Sequence, residues 1–272
     1  LNFNYNRRTV RYLAIVCMLL LTTCSQRKGG IIIAGSTSVQ PFIERVAERF
    51  TEENPGIQVN VQGGGSTAGI QATFNNICHI GVSSRNLKGS EKALHEFLIA
   101  VDGIAIIVHK DNPIDDLTIE QIQGIFAGTY KDWSELGGES GEIIPVTREE
   151  GSGTRGAFED MVMGDQIISD ACLVQDSNGA VREIIATTPQ GIGYISVGLV
   201  DEREKALAID GVKPTLANLL SSQYGFTRPF LLLLLEEPSG KVKKFIEFAL
   251  SKKGQDILKS DGLISVTEIG KY

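Results

Sequence analysis

Three times the chain runs from an apolar stretch into a turn of glycine, serine and threonine, and then into a helical pattern. Ile31–Ala34 leads to Gly35-Ser-Thr-Ser38, and the alternating run Ile57–Val61 leads to Gly63-Gly-Gly-Ser-Thr-Ala-Gly69. Ile143-Ile-Pro-Val146 leads to Thr147-Arg-Glu-Glu-Gly-Ser-Gly-Thr154, after which Ala157, Phe158, Met161 and Val162 keep helical spacing. Glycine lets the backbone turn sharply and approach a neighbour closely. Serine or threonine caps the helix that follows, here Ser152 or Thr154. The first turn of a helix presents unpaired N–H groups and a partial positive charge, so it suits an anion. Arg148, four residues before Ser152, adds a planar cationic fork that matches an oxyanion. One such unit is an ordinary capped helix. Three of them predict three helix N-termini directed at one point.

The remaining pattern fits an α/β chain with ligands at the carboxyl ends of its strands. Val39, Phe42, Ile43, Val46, Ala47 and Phe50 repeat at helical spacing, with Pro41 in the first turn and Asn54-Pro-Gly56 as the stop. His79–Ser83 reads as a strand, and Ser90 as the cap of a helix over 91–98. Ile104–His109 is a longer apolar strand, Thr118 caps a helix over 119–126, and Ala180–Ala186 is a helix preceded by Asp176-Ser-Asn-Gly179. Trp133 sits in a polar loop that is expected to pack against the 119–126 helix. Phe230–Leu235 reads as a buried strand, and Val242, Phe245, Ile246, Ala249 and Leu250 line one face of a helix.

The ends and the composition narrow the function. Arg7, Arg8 and Arg11 precede the apolar run Leu13–Leu21, which is short for a membrane span. Residues 1–23 therefore read as an export signal, and Leu21-Thr-Thr-Cys24 resembles a bacterial lipoprotein signal, which implies Cys24 as the lipidation site and 24–29 as a polar tether. The formal net charge is −7, and it is more acidic once those three arginines are set aside. Sequence-independent nucleic-acid binding, which rests on clustered Lys and Arg, is not expected. Cys78 and Cys172 are expected to stay unpaired. His79, His95 and His109 lack metal-ligand spacing. Neither a metal nor a cofactor is expected.

Taken together, the turns resemble the phosphate-binding proteins of bacterial high-affinity phosphate ABC transporters. The resemblance runs from Ile31 to about Leu263. It is carried by Gly35–Pro41, Gly63–Gly69, Gly81-Val-Ser-Ser-Arg85, Thr147–Thr154 and Thr188-Pro-Gln-Gly-Ile-Gly-Tyr194. It implies the type II two-lobe periplasmic binding-protein fold, with two doubly wound sheets and a ligand cleft between them. Lobe one would be 30–103 with 226–272, and lobe two 104–225. It implies phosphate ligands from Ser36, Thr37, Ser38, Ser66, Ser84, Arg85, Arg148, Ser152, Gly153 and Thr154. Members of the family carry an aspartate that accepts the proton of hydrogen phosphate, where this chain has Ser84. The proton acceptor would then be Glu150, Glu149 or Asp102, with Glu150 favoured because it adjoins the Gly-Ser-Gly turn. Arg85 would add a second cationic fork.

The expected function is capture of inorganic phosphate outside the cytoplasmic membrane, by a lipid-anchored monomer at the periplasm or cell surface, and delivery to an ABC permease. Another oxyanion, such as sulfate, molybdate or tungstate, is the nearest alternative. A phosphate sensor or adhesin is another. A serine hydrolase or phosphatase using Ser66 or Ser152 is a further alternative. Against it, Ala68 and Glu150 stand where the outer glycine of a Gly-x-Ser-x-Gly elbow would be. On the binding reading no residue is catalytic. Arg148, as the lining of a cleft, is expected to support little packing.

Overall fold

The computed structural model describes residues 30–269. The expected export signal (1–23), the expected lipidation site Cys24 and the expected tether (24–29) fall outside these residues. Ile31 and Ile33 of β1 (Ile31–Gly35) share one face of the strand and are fully buried, while Ile32 and Ala34 on the other face are partly buried. Pro41 opens α1 (Gln40–Glu53), whose Phe42, Ile43, Val46, Ala47 and Phe50 form the buried stripe. β2 (Val59–Gly63), α2 (Ser66–Phe74) and β3 (Ile80–Ser83) complete a parallel βαβαβ unit in which β1 lies between β2 and β3.

The chain then enters β4 (His95–His109), the strand on which the rest is built. The expected helix over 91–98 is replaced by a short 3-10 turn, Gly89–Ala93, and by the start of this strand. Pairing explains the difference. His95–Gly103 lies antiparallel to β11 (Thr227–Leu234), whose apolar run must be covered by a neighbour in the sheet. That gain outweighs a weak local helical preference. From Ile104 onward the same strand pairs with β8 (Gly191–Ser196). One strand thus serves two halves.

The second half adds β6 (Ile144–Arg148) and β7 (Leu173–Gln175), both parallel to β8 in the chain of pairings β8-β6-β7. The full sheet order is β2-β1-β3-β11-β4-β8-β6-β7. β5 (Asp116–Leu117) and β10 (Ala208–Ile209) form a separate two-stranded pair. β9 (Glu204–Ala206) and β12 (Ile264–Ser265) each pair with β4.

Helices cover both faces. In the first half, α1 packs with α7 (Gly240–Leu250) and α8 (Lys252–Ser260) through Phe50, Phe245 and Leu258, while Ile70 of α2 lies in a cluster on the other face with Leu231 and Leu233. In the second half, Phe126 of α3 (Ile119–Phe126) and Phe158 of α4 (Gly153–Phe158) fill one face with Trp133, and Val181 and Ile185 of α5 (Asn178–Thr187) fill the other. Thr118 caps α3 in a capping box with Gln121. Cys78 and Cys172 are both free and buried. α6 (Leu216–Leu220) lies near β12.

Candidate functional site

The N-termini of α1, α2, α4 and α5 meet where the two halves face each other. Ser38, just before α1, shares a 2.6 Å hydrogen bond with Thr154 in the first turn of α4. It also accepts one of 2.6 Å from Asn178 Nδ2 at the start of α5. Thr67 N, in the first turn of α2, donates to Gly151 O at 3.1 Å. Ser36 Oγ donates to Ser84 Oγ at 2.8 Å, and Ser84 N donates to Ser66 Oγ at 3.0 Å. Ser152 caps α4 by accepting from Arg155 N. Ser36, Ser38, Ser66, Ser84, Ser152 and Thr154 are all buried. Six buried hydroxyls beside four helix N-termini form a concentration of donors that a folded core does not otherwise need.

Two glycines make this convergence sterically feasible. A Cβ on Gly153 would lie 2.1 Å from Ser66 Oγ and 2.5 Å from Ser84 Oγ, across the interface between halves. Gly65 has φ +89°, and a Cβ there would meet Gly151 O at 2.9 Å. A side chain at either position would push the halves apart.

Arg148 ends β6 and is 1% exposed. Its position is over-determined. Nε donates to Glu149 Oε2 and Gln175 O, and Nη2 donates to Thr37 Oγ1, Glu149 Oε1 and Asp176 O, all at 3.0–3.1 Å. Behind it, Tyr194 OH accepts from Arg148 N and bonds Thr147 Oγ1. The Tyr194 ring stacks on Phe158 at 4.0 Å, and burial pushes its hydroxyl up to about 12. Arg148 is therefore a strut as well as a cleft residue, contrary to the expectation that it supports little packing. One donor is left over: Nη1 is buried and has no partner. A buried cationic donor without an acceptor is costly, and an anion would relieve that cost.

The three candidate proton acceptors fare differently. Asp102 is fully engaged: Oδ1 accepts from Ser196 Oγ, and Oδ2 accepts from Nε and Nη2 of the buried Arg228. It sits where β4 passes between halves and stabilises that crossing, so it is not free to read a ligand. Glu150, favoured for its adjacency to the turn, is exposed at the surface rather than buried with the hydroxyls. Glu149 reaches the site, but both its oxygens face Arg148. Burial pushes its carboxyl above the usual range, against the pull of Arg148.

Arg85 also departs from expectation. Its guanidinium is clamped by Glu91, Nη1 to Oε2 at 2.7 Å and Nη2 to Oε1 at 2.9 Å, with Thr67 Oγ1 also within reach. Glu91 cancels the charge that a second cationic fork would have supplied. Sequence reasoning missed Asn178, which is buried with Oδ1 unpartnered. Its signal was the run Ser177-Asn-Gly179 after β7, a fourth instance of strand, small-residue turn and helix.

Neither serine considered as a nucleophile has a histidine among its hydrogen-bond partners. His79 and His109 accept from the backbone N–H of Ile32 and Asp111, and His95 faces Glu237. Among the described residues, no group of three or more His, Cys, Asp or Glu is placed to hold a metal.

A strand shared by two α/β halves, with helix N-termini facing one another across the junction, is the architecture of a type II periplasmic binding protein. Residues 22–253 match the PBP superfamily domain. The phosphate-binding protein PstS of Bacillus subtilis is 34% identical over 89% of this chain and 82% of its own length. A Clostridium perfringens protein, assigned as a phosphate ABC transporter substrate-binding protein and solved with bound phosphate, superposes with a TM-score of 0.85. It is 41% identical over 88% of this chain and all of that one. An ABC-type phosphate transport receptor from Vibrio cholerae superposes at 0.73 with 36% identity, over 87% of this chain and all of that one. The chain belongs to the PBP superfamily and, within it, to the PstS family of phosphate-binding proteins.

Proposed function

We propose that this protein captures inorganic phosphate outside the cytoplasmic membrane and hands it to an ABC permease. The observation that carries the reading is the convergence of four helix N-termini and six buried hydroxyls on a buried arginine with one unmatched donor. Ser36, Thr37, Ser38, Ser66, Ser84, Ser152, Gly153 and Thr154 supply neutral donors, and Arg148 supplies charge. Arg85 acts one step back, by holding Thr67 and Glu91. Binding is non-covalent. Each charge-assisted hydrogen bond contributes roughly 1.5–3 kcal/mol, so a few reach micromolar affinity, about −8 kcal/mol, after the cost of closure.

Lobe one is 30–103 with 226–272, and lobe two is 104–225. The change of β4's partner from β11 to β8 near residue 103 supports this division. The lobes swing about β4 and the return at 225–227. The protein works as a monomer anchored through a lipid on Cys24, a reading supported by the basic and apolar run before it. Mass spectrometry of the mature N-terminus tests the anchor: an unacylated start elsewhere overturns it.

Calorimetry on residues 30–272 tests the ligand. Phosphate is expected to bind in the micromolar range or tighter, and sulfate and molybdate more weakly. No heat with phosphate, or tighter sulfate binding, overturns the assignment.

A further inference from the structure

We propose that Asn178 reads the proton on the bound oxyanion and so separates phosphate from sulfate. The inference rests on the phosphate reading above and specifies how that site selects.

Near neutral pH, inorganic phosphate keeps a proton on at least one oxygen, whereas sulfate keeps none. A site that prefers phosphate must offer one acceptor among its donors. The acceptors around the hydroxyl cluster nearly all hold at least one hydrogen bond already. Glu149 gives both oxygens to Arg148. Asp102 gives both to Ser196 and Arg228. Ser84 Oγ accepts from Ser36, Ser66 Oγ from Ser84 N, Ser152 Oγ from Arg155 N, and Thr37 Oγ1 from Arg148.

Asn178 is the exception. Its side chain is as buried as that of Arg148, and its Oδ1 has no partner. Its Nδ2 donates to Ser38 Oγ, while Arg148 Nη2 donates to Thr37 Oγ1. The two residues with a leftover group at this site thus hang from consecutive residues of one turn. Arg148 Nη1 is a leftover donor and Asn178 Oδ1 a leftover acceptor. An oxyanion with a proton satisfies both, by giving an oxygen to Nη1 and its hydroxyl to Oδ1. A fully ionised oxyanion satisfies only the first and sets its oxygen against a carbonyl dipole. Discrimination by a neutral acceptor is gentler than by a carboxylate, because no full charge opposes the wrong ion.

The test is calorimetry of the wild-type chain, Asn178→Ala and Asn178→Asp with phosphate and with sulfate, and thermal melting to show that each variant is folded. Asn178→Ala should lower the ratio of phosphate to sulfate affinity about tenfold, mainly through weaker phosphate binding. Asn178→Asp, of the same shape, supplies a charged acceptor and should raise that ratio by suppressing sulfate. If Asn178→Ala shifts both anions in parallel, the residue only shapes the turn and the proposal fails. If Asn178→Asp loses phosphate as steeply as sulfate, the amide acts as a donor and the proposal also fails. Should Asn178→Ala not fold, the isosteric aspartate variant still decides. A wild-type chain that binds neither ion removes the phosphate reading itself, whereas normal phosphate binding with an unchanged ratio in the variants removes only this inference.

Discussion

Arg85 and Arg148 are both buried and both fastened to a carboxylate, yet the two pairs are poised oppositely. Arg85 lies in a closed bidentate pair with Glu91, and that hydrogen bonding holds the Glu91 carboxyl below the usual range. Arg148 is likewise bidentate to Glu149, but backbone carbonyls and a threonine hold it as well, and burial pushes the Glu149 carboxyl up. The first pair is satisfied internally. The second keeps a donor in hand, and its carboxylate is ionised at a cost. The difference teaches that buried arginines in a cleft are not equivalent anion ligands: what matters is which donors remain after the protein's own acceptors are served. A third pair, Arg228–Asp102, lies buried at the strand crossing, and there too the guanidinium keeps one unpartnered nitrogen, Nη1, although its carboxylate is shared with Ser196 rather than with the hydroxyl cluster.

That comparison can be broken at several points. The largest effect is expected at the crossing. Asp102→Ala leaves Arg228 buried without its partner and should cost about 3–5 kcal/mol of stability, read by denaturant unfolding. Phosphate affinity in the fraction that remains folded should change little.

Arg148→Ala comes next. It should weaken phosphate binding by at least ~2 kcal/mol in calorimetry and lower the melting temperature, because it removes a strut along with a ligand. Arg85→Ala should weaken binding far less. Equal losses from the two arginines would erase the distinction drawn between them.

The carboxylates should respond to pH with opposite signs. Glu91 has a depressed folded-state value, so its stabilisation is complete above its unfolded value of about 4.3 and fades as the pH falls through the lower folded one. Glu91→Gln should therefore lose on the order of 1 kcal/mol at pH 7, and the deficit should shrink only as the pH falls below about 4.3. Glu149 has a raised value, so its ionisation is a cost above the folded value that disappears as the pH falls toward the unfolded one. Glu149→Gln should be neutral or stabilising at pH 7 without anion and lose that advantage in acid. Thermal melting across this range decides both.

The smallest effect concerns ligand affinity. Glu149→Gln removes a negative charge beside Arg148 and should tighten phosphate and sulfate binding alike, by a fewfold. A change in their ratio would instead make Glu149 the selective group.

Much of this molecule was set by local pattern. The stripe Phe42, Ile43, Val46, Ala47, Phe50 makes α1 amphipathic whatever surrounds it, and Thr118 with Gln121 closes the capping box of α3 within one turn. The glycine and hydroxyl turns announced helix N-termini because capping acts over three residues. Chemistry that depends on neighbours distant in the chain was not readable. The amide of Asn178 reaches Ser38 across 140 residues, and Asp102 meets Arg228 across 126. Residues 95–98 became strand because Leu231–Leu234 arrives beside them. The amino-acid order fixed which groups are donors and where helices begin. Only the folded structure decided which donors are already answered, since a hydrogen bond can be filled by any acceptor that packing brings within about 3 Å.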